Sequence, residues 1–93
     1  MGGKRRSKTD LYATVLEVIV RYPEGCRITR LSYGVGVPVD RLKTMVEALY
    51  SLGLATKTSD EQGSRYGITQ RGLEFLETYR KMTGFLAVFG EER

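Results

Sequence analysis

Ninety-three residues suffice for one domain with a single modest core and are too few for two. A 41% hydrophobic fraction marks a chain that folds, and no apolar run reaches the roughly 18 residues that a bilayer crossing takes. There is no histidine and Cys26 is the only cysteine, so an imidazole triad and a zinc site within one chain are both excluded; no catalytic residue, metal ligand or cofactor is expected. The net charge of +4 is uneven. Lys4, Arg5, Arg6 and Lys8 all precede the first acid, Asp10, and the remaining chain holds eleven basic and eleven acidic residues.

In chain order, residues 1–7 form a basic arm. Ser7 stands three residues before Asp10, the spacing of a capping box. The helix this opens is expected to run from Lys8 to about Tyr22. Leu11, Val15, Leu16, Val18, Ile19 and Val20 give it an apolar face too broad for a surface helix, which predicts the central core helix. Pro23 disfavours helical geometry at Tyr22, and Gly25 supplies a turn. Cys26 to Ile28 reads as a short strand pairing with a later hairpin. There Cys26 packs as a small apolar residue, an intermolecular disulfide being the alternative.

Thr29 is placed to cap a short helix that ends at Gly36, the residue of the connection for which positive φ is free. Pro38 suits the first position of the next helix, in which Leu42, Met45, Val46, Leu49 and Leu52 recur at steps of three and four until Gly53 stops it. With Leu42, Val46 and Leu49 inward, Asp40, Lys43, Thr44, Glu47 and Ser51 face outward, with Arg41 on the flank. This is a helix-turn-helix, and its second helix, about 38–52, is shaped to lie in a DNA major groove.

Leu54 to Ser59 is strand-like, Asp60 to Ser64 is a polar turn containing Gly63, and Arg65 to Thr69 returns as a second strand. A helix-turn-helix followed at once by a hairpin is a winged helix, so residues 8–69 are expected to form an α+β, mostly helical domain. Lys57 and Arg65 lie on the stems of the hairpin with the sign phosphates require, whereas Asp60 and Glu61 at its tip have the wrong one. The expected contacts with duplex DNA are Lys4, Arg5, Arg6, Lys8, Thr29, Arg30, Arg41, Lys43, Thr44, Glu47, Lys57 and Arg65. From Arg27 to Arg71 seven basic residues face four acidic ones, which puts positive charge on this unit as well as on the arm.

Residues 70–93 are expected to form a long dimerisation helix and tail. Thr69 is the candidate cap, and Leu73 and Leu76 are placed to pack back on the domain. Phe75, Tyr79, Met82, Leu86 and Phe89 are spaced 4, 3, 4 and 3, the 3.5-residue period of a coiled-coil seam. A monomer would leave that seam uncovered, so a second copy of the chain is the expected partner. The alternative is a bend at Gly84 that folds the end back, since glycine lowers helix propensity by about 1 kcal/mol.

An ordered set of segments resembles a known family. The set comprises Arg5-Arg6-Ser7-Lys8, Thr29-Arg30-Leu31-Ser32-Tyr33, Val35-Gly36-Val37, Leu42-Lys43, Leu49-Tyr50-Ser51-Leu52-Gly53-Leu54, and the run from Tyr66 to Leu76. The chain resembles the archaeal winged-helix DNA-binding proteins of about ten kilodaltons, chromatin-associated or regulatory, that dimerise through a carboxy-terminal antiparallel coiled coil. The resemblance implies a homodimer that binds double-stranded DNA, a cytoplasmic, nucleoid-associated location and no membrane partner. Pro38, Asp40 and Gly84 depart from the family's usual residues. A winged-helix protein-interaction module without DNA is the alternative, supported by the neutral body and the acids on the reading face.

Overall fold

The computed structural model describes residues 7–88, so Lys4, Arg5, Arg6 and Phe89 lie outside the described residues. The elements are α1 (Lys8–Ile19), β1 (Cys26–Arg27), α2 (Ile28–Val35), α3 (Val39–Ser51), β2 (Ala55–Asp60), β3 (Gly63–Ile68) and α4 (Gln70–Val88).

Helix α1 opens with the capping box: the Asp10 N–H donates to Ser7 Oγ at 3.0 Å and the Ser7 N–H donates to Asp10 Oδ2 at 3.3 Å. It ends at Ile19, three residues earlier than expected. Arg21 and Tyr22 instead donate to Val18 and Ile19, the tight i−3 bonds that close a last turn ahead of Pro23. Val20 therefore turns outward, while Ala13, Val15, Leu16, Val18 and Ile19 enter the core.

Two helix starts also differ from expectation. Arg27, still extended as the end of β1 (ψ 154), is the N-cap of α2, so Thr29 lies inside the first turn and its side chain does not cap. Pro38 is the N-cap of α3 and not its first residue (φ −58, ψ 148). The ring fixes φ but leaves ψ free to be extended, and the Pro38 carbonyl still accepts the first helical bond, from Leu42. The helix ends follow the glycines. Gly53 (φ 78) lets Leu54 N–H reach the Leu49 carbonyl at 2.9 Å and Gly53 N–H reach the Tyr50 carbonyl at 3.0 Å, the paired bonds of a Schellman motif.

The sheet order is β1-β3-β2, antiparallel throughout. Cys26 pairs with Tyr66, so the short strand docks on the hairpin as expected, and the buried Cys26 thiol is pushed up in pKa by desolvation. Asp60 pairs with Gly63, leaving Glu61 and Gln62 as a two-residue turn tighter than the sequence suggested. Leu16, Ile19, Leu31, Leu42, Leu49 and Leu76 are the largest fully buried side chains; they draw α1 to α4 into one core above the sheet.

Thr69 does cap α4: its hydroxyl accepts from Gly72 N–H at 2.9 Å and donates to the Gly53 carbonyl at 2.7 Å. The helix continues through Gly84 without a bend-back, so the alternative ending is not seen within the described residues. The seam divides. Phe75 and Tyr79 are half-buried against their own core and stack on each other with centroids 6.4 Å apart. The Tyr79 hydroxyl donates to Asp10 Oδ1. The expectation that these two rings lack cover in a single chain is thus corrected: α4 crosses α1 at this level, and Arg80 reaches Glu17 at 3.4 Å one step further on. Beyond the crossing, Met82, Phe85 and Leu86 are 49%, 60% and 41% exposed. Leu76 is buried as expected, whereas Leu73 and Leu52 are 40% and 54% exposed.

Candidate nucleic-acid interface

The outward face of α3 carries Asp40, Arg41, Lys43, Thr44, Glu47, Tyr50 and Ser51, all exposed, because Leu42, Val46 and Leu49 hold the opposite face in the core. Against the first half of this helix, α1 forms an apolar groove of about 510 Å³ lined by Lys8, Leu11, Tyr12, Arg41, Thr44, Met45 and Ala48. The groove brings Lys8 beside Arg41 and Thr44 of that outward face. Neither Lys8 nor Arg41 has an ion pair among the described residues.

On α2, Thr29, Arg30 and Tyr33 line a second, shallower cleft. Tyr33 is 91% exposed and was not singled out from the sequence. Its position three residues after Arg30 was the available signal, since i and i+3 share a helix face. The Arg30 guanidinium lies 5.8 Å from the centroid of Tyr22, a cation–π contact that steadies it.

The hairpin behaves differently from its sequence reading. Lys57 Nζ donates to Glu47 Oε2 at 2.7 Å, which ties β2 to α3. Glu47 raises the Lys57 pKa through that bond. Asp60 does not project bare at the tip. It accepts from Arg27 Nη2 at 2.7 Å and from the Gln62 N–H at 2.9 Å, with Arg65 Nε at 3.7 Å. Arg65 also donates to the Glu24 carbonyl at 3.3 Å. Both stem cations expected on phosphates are therefore engaged within the chain, and of the two tip acids Asp60 is matched by arginines.

A pH dependence follows. The hydrogen bond from Arg27, then that from Gln62, holds the Asp60 carboxyl below its ordinary value of 3.8. A carboxyl depressed on folding contributes stability that is present above its unfolded value and lost as pH falls through the folded one. Asp60→Asn should therefore lower the melting temperature modestly at pH 7 and progressively less at acid pH below the ordinary value of 3.8, as wild-type Asp60 takes up its own proton. Equal losses at pH 7 and at acid pH would show that the carboxylate charge is not what holds the hairpin.

Among the described residues no helix is long and apolar enough to cross a membrane, and no cluster of side chains is arranged to hold a metal ion. Helix-turn-helix, hairpin and following long helix occur in the order and register just described, and the chain matches the winged helix-turn-helix family over residues 5–86. The chain belongs to that family. Among solved structures this winged-helix chain is similar to Sso10a-2, a DNA-binding protein from Sulfolobus solfataricus. The TM-score is 0.71 at 23% identity, over 94% of this chain and 92% of that one. It is also similar to MepR, a transcription regulator of the Staphylococcus aureus multidrug efflux pump MepA, with TM-score 0.75 at 12% identity over 86% and 61% of the two chains. PcaV, a transcriptional regulator from Streptomyces coelicolor solved with its natural ligand, matches with TM-score 0.65 at 28% identity over 83% and 59%. This chain thus spans about three fifths of the length of MepR and PcaV, and nearly all of Sso10a-2. No curated protein matches at a significant level. The α+β winged-helix fold expected from the sequence, and its likeness to an archaeal DNA-binding protein, are established by these matches.

Proposed function

We propose that this winged-helix protein binds double-stranded DNA as a homodimer, as a transcription regulator or an architectural chromatin component, and is not an enzyme. The arm (1–7), the winged domain (8–69) and the terminal helix with its tail (70–93) divide the work into phosphate contact, groove reading and dimerisation. The observation that carries this reading is the α3 face, where Arg41, Lys43 and Thr44 stand exposed beside Lys8 with no acid paired to any of the three cations among the described residues. Set in a major groove, such a face places Thr44 toward base edges and the cations toward phosphates. Lys4, Arg5 and Arg6 add three further positive charges before Ser7. No cofactor or membrane is needed, and on this reading the protein is cytoplasmic and nucleoid-associated.

The test is affinity for duplex DNA across a salt series. Each phosphate neutralised should contribute roughly −0.9 to the slope of log affinity against log salt. Deleting residues 1–6 should flatten that slope by the share of Lys4, Arg5 and Arg6. One observation favours the protein-interaction module as a second reading: Arg27, Lys57 and Arg65 are already matched by acids of the same chain. Binding indifferent to salt, or absent for every duplex, would decide for that module.

A further inference from the structure

We infer that Lys57 determines which bases α3 can read, by holding Glu47 against the hairpin and away from the groove. The inference rests on the duplex-binding reading above and assigns Lys57 a positioning role within it. Glu47 lies one turn beyond Lys43 and Thr44 on the exposed face of α3. A free glutamate at such a place accepts a hydrogen bond from the amino group of cytosine, while its charge opposes nearby phosphates.

In this structure the carboxylate is not free. Lys57 approaches from the neighbouring strand and donates to Glu47 Oε2 at 2.7 Å. Two rigid elements hold the partners, since Lys57 is directly cross-strand from the buried Tyr66 and Glu47 is followed one turn later by Tyr50. A pair this exposed adds little to folding stability. Its effect is orientational and electrostatic: one acid of the reading face is turned to the side and neutralised, leaving Asp40 as the acid still facing outward.

Two consequences separate this from the ordinary role of a wing lysine. Lys57 is not primarily a phosphate contact, and Glu47 is not a base reader while Lys57 is present. The variants that test it are Glu47→Ala, Lys57→Met, which keeps the apolar stem, and the double variant. Each is incubated with a random duplex pool beside the wild type, and the retained sequences are compared. Because both side chains are on the surface, all four proteins should give the same circular dichroism melt within a few degrees.

The expected result is that Glu47→Ala retains the wild-type preference, or the wild-type lack of one. Lys57→Met should gain selection for cytosine at one position, about tenfold or more, as the freed carboxylate reaches its donor. The double variant should return to the wild-type profile, because the gain acts through Glu47. A changed preference in Glu47→Ala, or the same selection by Lys57→Met and the double variant, overturns the inference while leaving duplex binding intact. A wild type that retains no duplex at all removes the duplex-binding reading and this assignment together.

Discussion

Leu86→Asp should convert the proposed dimer to a monomer at concentrations where the wild type is dimeric, and Met82→Asp should do the same. Beyond the point where α4 crosses α1, Met82, Phe85 and Leu86 expose large apolar surface. Burying such a side chain completely is worth about 1.5–3 kcal/mol. These three are already about half covered, so roughly 1 kcal/mol each is the better figure, doubled by symmetry across two chains. Phe75 and Tyr79 add less than their spacing suggests, because their own domain already covers much of both rings. The surplus over the several kcal/mol lost in association is therefore modest. A modest surplus makes the interface sensitive. An aspartate in the seam forfeits its apolar contact in both chains and must itself be desolvated, so a loss of about 3 kcal/mol, more than a hundredfold in affinity, is expected. Sedimentation of the wild type and both variants reads this directly. A wild-type monomer would remove the proposed dimer, and a dimer unchanged in both variants would place its interface elsewhere.

Gly72→Ala is expected to be the most damaging single-atom change in the domain. An added Cβ at Gly72 would stand 2.2 Å from the Leu54 carbonyl oxygen and 2.7 Å from Ile68 Cγ1. The first of these is backbone and cannot swing aside, so α4 would have to move off the strand that follows α3. Alanine normally favours a helix by about 1 kcal/mol over glycine, and here that gain is overwhelmed. Overpacking of this kind usually costs about 1–3 kcal/mol, and a backbone clash puts Gly72→Ala at or above the upper end. Gly84 supplies the internal control, since a Cβ there meets nothing within 4 Å. Gly84→Ala should hold stability or raise it by up to about 1 kcal/mol. Denaturant melts of the two variants check both claims, and equal stabilities would remove the argument from close approach.

Much of the fold was readable because its punctuation is local. Ser7 with Asp10, Gly36, Gly53 and Thr69 each announce a helix end through chemistry within a few residues, and the inward set Leu42, Val46 and Leu49 follows from periodicity alone. The site was less readable because its electrostatics are long-range in sequence. Arg27 meets Asp60 across 33 residues, and Tyr79 meets Asp10 across 69. Lys57 meets Glu47 only because the register of β2 and the azimuth of α3 happen to face them. A charge count treats these residues as available when the fold has already spent them on each other. The seam was misjudged for a related reason: spacing shows which residues share a face of α4, and only the packing of α1 shows where along that face the domain stops.

The hydroxyl of Thr69 joins the end of α3 to the start of α4, between which the chain runs out and back through the β2–β3 hairpin. It donates to Gly53, just past the end of α3, and accepts from the first turn of α4 at Gly72, and Gly72 lets the two stretches of backbone lie almost in contact. That junction has little angular play. If two copies join along α4, each reading helix is bolted at a set inclination to a common axle, so the pair would act as a calliper whose jaws open to one width. Such an instrument measures the phase between two segments of duplex even when it is indifferent to the letters within them. On long DNA each footprint would then hold two protected segments at a constant separation, set by the pairing along α4 and not by sequence.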